Sequence, residues 1–366
     1  MYLNKKTIAA LVVLIASGCS KSTDTGNSSP LFGSYDQTAM LNNIGNNILF
    51  AGINNLSSTA AAATTAINAF TANPTSNTLT AAQTAFAALA QSWGSSAPFS
   101  FGPMNDNLIL ANVDTWPANP AKIEAAINAQ SNALNVGADT KGLKGLEYLL
   151  FDTNGNVAVL ARYTGSGAAN RTAFLNSVVQ DLTAQVTTLQ SKWKGGYLNA
   201  FENAKGNDVS SSTGQLVNAI ALYLDEVKNM KIGNPIGMGV KVNDNQSHPD
   251  LIEYKLAEQS LPVIKADVQA MKAAFDGGTG QGLDDLLNYT KAQKNGTNLS
   301  AVVDNQFDDV ISKINLVNSP YATATSTQKQ QLQNVFSSLK TLIAYFKVDV
   351  ANNLGVTITF SDTDGD

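Results

Sequence analysis

At 366 residues, 44% of them hydrophobic and 7% aromatic, the chain can bury two sizeable cores and is longer than one ordinary core requires. Only 14% of residues are charged and the net charge is −5, so the polar surface must be built from Asn, Ser, Thr and Gln, as in many exported proteins. An acidic chain without a Lys/Arg-rich run excludes nucleic acid as a partner, and one cysteine excludes a disulfide framework.

The N-terminus carries Lys5 and Lys6, an apolar run over residues 8–15, and the small residues Ala16, Ser17 and Gly18 directly before Cys19. This resembles a bacterial lipoprotein signal, with Ala16 where Leu is usual. The run is far short of the roughly 20 residues that span a bilayer. On this expectation residues 1–18 are a signal peptide and Cys19 carries lipid, a membrane anchor that leaves no thiol for metal or catalysis. Cleavage removes two lysines and no acid, so the mature chain carries −7 where the whole chain carries −5. Residues 19–30 are small, polar and aperiodic, a flexible tether. Ser20, where some inner-membrane lipoproteins carry Asp, favours the outer membrane.

From residue 31 the apolar positions recur at helical spacing: Met40, Leu41, Ile44, Ile48, Leu49, Ile53 and Leu56, then an Ala-rich run to Ile67 and Phe70, broken at Asn73-Pro74. Residues 80–93 give a second helix with Phe86, Leu89 and Trp93 on one face. Loops follow around Phe99-Ser100-Phe101-Gly102-Pro103 and Asp114-Thr115-Trp116-Pro117. Residues 171–193 form a long amphipathic helix with Phe174, Val178, Leu182, Val186, Leu189 and Trp193 along one stripe. Gly195-Gly196 and a polar, Gly-containing stretch at 205–213 are the boundary candidate, and helical patterns restart at 216–230, 251–275, 283–290, 299–316 and 328–354. Only 356–360 alternates like a strand. The expected fold is all-α: two helical-bundle domains of long antiparallel helices, residues 31–204 and 205–366.

Between the loops and the long helix lies Gly142-Leu143-Lys144-Gly145-Leu146-Glu147-Tyr148-Leu149-Leu150. Leu143, Leu146, Leu149 and Leu150 make one core-facing stripe, and Gly142 and Gly145 thin the helix so that another backbone can approach. Lys144 and Glu147, three apart, share a neighbouring face; taken alone they fit an exposed ion pair on a packed helix.

Set beside Phe99-x-Phe101-Gly102-Pro103, Asp114-x-Trp116-Pro117, the 171–193 helix, Ile232-Gly233-Asn234-Pro235-Ile236-Gly237 and the ending from Leu354-Gly355-Val356 to Phe360-Ser361-Asp362-Thr363-Asp364-Gly365-Asp366, this stretch resembles the imelysin family of bacterial exported proteins, landmark by landmark and in order. The resemblance implies a two-domain, all-helical protein of the periplasm or cell surface, an association with iron uptake, and in founding members a metallopeptidase with the signature Gly-x-His-x-x-Glu. Gly142 and Glu147 match that signature, but Lys144 stands at the His position. An ammonium has no lone pair and cannot ligate a metal. The one histidine, His248, lies in a polar loop before Pro249 and is expected to be solvated, which leaves neither a usual zinc site nor a Ser-His-Asp triad. No catalytic residue and no metal ligand is therefore assigned. Gly278-Thr279-Gly280-Gln281-Gly282 follows a helix and no strand, so it is a connection and not a phosphate loop. Asp362, Asp364 and Asp366 echo a calcium loop without its bidentate Glu.

The expected function is that of a non-catalytic, imelysin-like lipoprotein binding a ligand or partner at the cleft between its domains, near Lys144, Glu147, Phe101 and Trp116, in iron or haem acquisition. Iron or another divalent metal is the candidate cofactor, and iron-uptake or outer-membrane receptor proteins are the candidate partners. Two alternatives stand beside it: a metallopeptidase rebuilt around carboxylates such as Glu147 and Glu253, and a surface scaffold that binds nothing small.

Overall fold

The computed structural model of the chain describes residues 32–360. The signal peptide, Cys19, the tether and the acidic tail from Asp362 lie outside the described residues.

The first half is built on helix α1 (Ala51–Ala72), which packs along α2 (Ser76–Gly94). The chain turns back between them at Asn73-Pro74, and Thr75 caps α2: its hydroxyl accepts from the Thr78 N–H at 3.3 Å while the Thr78 hydroxyl accepts from the Thr75 N–H at 3.0 Å. Ala60, Ala63 and Ile67 face inward on α1, small enough to let neighbouring helices approach closely. Two short helices follow, α3 (Ile109–Asp114) and α4 (Pro120–Asn128), then α5 (Gly142–Leu150) and the long α6 (Ala168–Lys192). On α6 the expected stripe from Phe174 to Leu189 is buried along its length and packs against α1.

The second half comprises α7 (Ser212–Glu226), α8 (Ser260–Asp276), α9 (Leu299–Asn315) and α10 (Lys329–Ala344). Phe275, Phe307 and Phe346 interlock there, with ring centroids 5.7–5.8 Å apart. Helix α8 also packs against α2, so the two groups of helices meet along these elements. The fold is all-α; among the described residues the only sheet is a hairpin pairing Gln293–Lys294 with Thr297–Asn298. No helix among them is long and apolar enough to cross a membrane.

Two sequence expectations fail locally. Residues 356–360 alternate, yet no strand lies beside them. They run over α7, where the Asn218 side chain donates to the Thr357 carbonyl at 2.9 Å and accepts from the Thr359 N–H at 2.8 Å. The helix expected from residue 251 begins only at Ser260, because Tyr254 (φ +49°) and Glu258 (φ +54°) adopt left-handed backbone that no helix continues through. Residues 252–259 instead form an irregular strap.

Helix α7 runs on into a π-helical turn, Val227–Gly233, whose wider register carries Lys228 and Lys231 into the interior. The signature helix α5 enters its fold through Gly142, at φ +65°, where an ideal Cβ would stand only 2.4 Å from the Val113 carbonyl oxygen. That close approach sets the last turn of α3, and with it Asp114, against α5. Gly142→Ala is expected to destabilise the protein by about 2–4 kcal/mol, from left-handed strain plus overpacking. A denaturant midpoint unchanged from wild type would refute the account of this contact.

Candidate functional site

Lys144 and Glu147 are not an exposed pair. Lys144 is 2% and Glu147 7% exposed, and each turns to a different partner. The Lys144 ammonium pairs with Asp114 Oδ1, lies 3.8 Å from Glu253 Oε1, and stands 3.4 Å from the centroid of the Tyr254 ring. Asp114 is held by two more donors: the Trp93 indole N–H reaches its Oδ2 at 2.7 Å and the Tyr254 hydroxyl its Oδ1 at 3.1 Å. Glu147 accepts the Ala257 N–H of the strap at 3.0 Å. Burial pushes the Glu147 carboxyl above the usual carboxylate range, only partly opposed by the strap's backbone and the Lys144 ammonium.

A second ammonium completes the centre. Lys231, on the π-helical turn, lies 2.9 Å from Asp267 Oδ2 on α8, donates to the Tyr223 hydroxyl at 2.9 Å, and lies 3.6 Å from Glu253 Oε2. Burial works against this charge, but Asp267, Tyr223 and Glu253 outweigh it and hold Lys231 well above the usual lysine range. Glu253 thus stands between Lys144 and Lys231. Burial alone would raise its carboxyl, but the two ammoniums win and hold it below the usual range. The result is a continuous, largely buried chain, Trp93–Asp114–Lys144–Glu253–Lys231–Asp267, drawn from both halves of the sequence.

Beside it lies a pocket of about 160 Å³, lined by Trp116, Lys144, Glu147, Tyr148, Ile252 and Lys255 among others. Lys241 sits over the Trp116 ring, 5.4 Å from its centroid. The Tyr148 hydroxyl donates to Glu124 at 2.7 Å, and Arg171 grips both oxygens of Glu124 at 2.7 and 2.6 Å, which fixes Tyr148 in the wall. Of the four expected ligand-binding residues, the structure brings together Lys144, Glu147 and Trp116. Phe101 lies elsewhere: its ring stacks on Phe201 at 6.0 Å, in an aromatic group with Trp193 and Tyr197, because Gly102 (φ +53°) turns the chain under Tyr197. His248 is in its loop as expected, its Nε2 bonded to Asp244 at 2.9 Å.

Sequence reasoning missed the roles of Asp114, Lys231, Tyr254 and Asp267. One signal was present: Asp267 interrupts the apolar stripe Val263, Ile264, Val268 and Met271 of α8, and a carboxylate on a core stripe needs a buried partner.

A metal, as the family signature implies, does not fit this donor set. The position expected to supply a ligand carries a fixed cation instead, and Asp114 and Glu253 are already directed at ammonium groups. Among the described residues no group of three or more His, Cys, Asp or Glu could hold a metal ion.

An all-helical chain with a sealed amine–carboxylate centre, where a glycine-thinned helix meets a strap from the second half, is the class that fold and site define. The family model for Imelysin matches residues 50–344, and the chain belongs to that family. Among solved structures, an imelysin-like protein from Psychrobacter arcticum 273-4 aligns with a TM-score of 0.69 at 15% identity, over 88% of this chain and 97% of that one. A protein described as an iron-regulated protein A precursor, from Parabacteroides distasonis ATCC 8503, aligns with a TM-score of 0.71 at 18% identity, over 91% of this chain and 97% of that one. At such identities these likenesses concern the fold. No curated protein matches the chain.

Lys144→Met keeps the aliphatic stem and removes the charge, leaving Asp114 and Glu253 with one cation fewer, and is expected to cost about 3–5 kcal/mol in chemical denaturation. A loss below about 1 kcal/mol would mean that the pair behaves as an exposed one. In Lys144→His a neutral imidazole replaces the ammonium, and zinc should raise the melting temperature of that variant but not of the wild type.

Proposed function

We propose that this chain is a non-catalytic binding protein of the bacterial cell envelope, anchored by lipid at Cys19, which takes a small anionic ligand into the pocket beside Trp116. The observation that carries this reading is the Lys144 ammonium, buried at the signature position and engaged by Asp114, Glu253 and the Tyr254 ring. A permanent internal cation cannot exchange with solvent as a catalytic metal does, so the signature helix serves as scaffold and recognition moves to its rim. There Trp116, Lys241 and Lys255 offer a flat apolar surface flanked by two amines.

The iron-regulated relative supports an iron-linked role, and the pocket narrows it. At about 160 Å³ it is below the roughly 300–1,000 Å³ of pockets that enclose drug-sized ligands, too small to enclose a porphyrin. A small iron chelate rich in carboxylate groups suits it better than haem. Iron-uptake or outer-membrane receptor proteins are the partners this role calls for. Residues 252–259 wall the pocket through Ile252, Lys255 and Leu256, and Glu258 of the same strap lines a wider groove of about 630 Å³.

Calorimetric titration tests the reading with ferric citrate, haem, and bare ferric, ferrous, zinc and calcium ions. Ferric citrate is expected to bind and to change tryptophan emission, since Trp93 and Trp193 are both 1% exposed and only Trp116 is partly exposed. Trp116→Ala and Lys255→Glu should each weaken binding about tenfold, the scale of about 1.4 kcal/mol, without shifting the melting temperature. Heat from none of the iron species would sink the iron-linked function.

A further inference from the structure

Asp267 lies where α8 meets α2, with no exposed surface, and an ideal Cβ at Gly94 of α2 would stand 3.0 Å from its Oδ1. Its Oδ2 faces Lys231 at 2.9 Å, and its Oδ1 accepts only the longer 3.3 Å bond from the Tyr223 hydroxyl. The titratable groups facing it are Lys231 on the π-helical turn, Tyr223 and Glu226 on α7, and Glu253 on the strap; α2 meets it with Gly94. Lys144 and Asp114 stand one step further along, beyond Glu253.

The charges do not balance when all are ionised. Asp114, Glu253 and Asp267 are three carboxylates around two ammoniums, buried Glu147 adds a fourth beside Lys144, and Glu226 a fifth at the solvent edge. A surplus negative charge in so dry a place is removed most readily by a proton. Asp114 has three donors and Glu253 lies between both ammoniums, whereas Asp267, with no exposed surface, has a single ammonium at 2.9 Å and a long hydroxyl bond at 3.3 Å. The proton belongs on Asp267.

We propose that Asp267 is a proton-binding switch that locks the strap, residues 252–259, onto the signature helix. With the proton bound, Lys231 shares its charge with Glu253 and holds the strap down. When the proton leaves, the Asp267 carboxylate, already 2.9 Å from Lys231, takes up that ammonium's charge, Glu253 at 3.6 Å faces a second negative charge across it, and the strap loosens. Burial pushes the Asp267 carboxyl up to about 7, with Lys231 opposing, which puts the switch near neutral pH. The folded protein then binds one more proton than the unfolded chain, whose aspartates titrate at about 3.9, so stability falls as pH rises from about 4 to 7 and levels off above. The strap also walls the pocket beside Trp116, so pH would govern access there; that consequence rests on the proposed ligand site, and the switch itself does not.

Hydrogen exchange on the full chain, followed by mass spectrometry and corrected for intrinsic rates, tests the switch at about pH 6 and about pH 8.5, on either side of the transition. Protection of residues 252–259 is expected to fall by up to about tenfold at the higher pH in the wild type, and less than about twofold in Asp267→Asn, whose neutral amide cannot ionise. Equal protection at both pH values in the wild type, or the same loss in Asp267→Asn, overturns the proposal. If Asp267→Asn does not fold, carbon-detected NMR titration of the wild-type Asp267 carboxyl decides: a midpoint near 7 supports the switch, and one near 4 overturns it.

Discussion

Two lysine ammoniums buried in the middle of a helical protein are the constraint on which this architecture turns. Removing such a charge from water costs several kcal/mol unless counter-charges and hydrogen bonds meet it. Lys144 and Lys231 therefore demand partners, and the partners come from distant segments: Asp114 at the end of α3, Glu253 on the strap, Asp267 on α8. Satisfying both amines at once brings α3 and the strap onto α5, and α8 toward the end of α7. The left-handed backbone at Tyr254 and Glu258 is the local strain this convergence requires. It lets one short segment present a carboxylate, an aromatic face and a backbone N–H to the same helix.

The same constraint bears on the metal that the family resemblance implied. A metal is a removable cation with open coordination positions, whereas an ammonium on a covalent stem is permanent and offers only donors. Where the resemblance leads one to expect a metal-binding His, the residue is Lys144, and the carboxylates around it serve as its counter-ions. What remains accessible is the rim, where Trp116, Tyr148 and Lys255 border the strap.

Much of the fold was legible because the long helices follow one rule. Leu143, Leu146, Leu149 and Leu150 on α5, and Phe174 through Leu189 on α6, repeat at helical period and are all buried. The failures came where periodicity was present without its physical cause. Ile252, Leu256 and the residues after them mimic a helix, but the Ala257 N–H that helix would use is given to Glu147. Val356, Ile358 and Phe360 mimic a strand, but with no strand alongside, the backbone takes its partner from Asn218. The site was legible only in part. Gly142 and Gly145 announced a close backbone approach, which the structure has at Val113 and Thr140. That Lys144 would turn to Asp114, thirty positions earlier in the chain, and not to Glu147 three positions on, is a tertiary fact that no local spacing encodes.

A crystal structure of the protein purified from its native source, with metal analysis of the same sample, tests the built-in cation most directly. The account predicts the Lys144 ammonium against Asp114 and Glu253, and no stoichiometric metal there. A metal ion bound by Glu147 or Glu253, with Lys144 swung away, would contradict it.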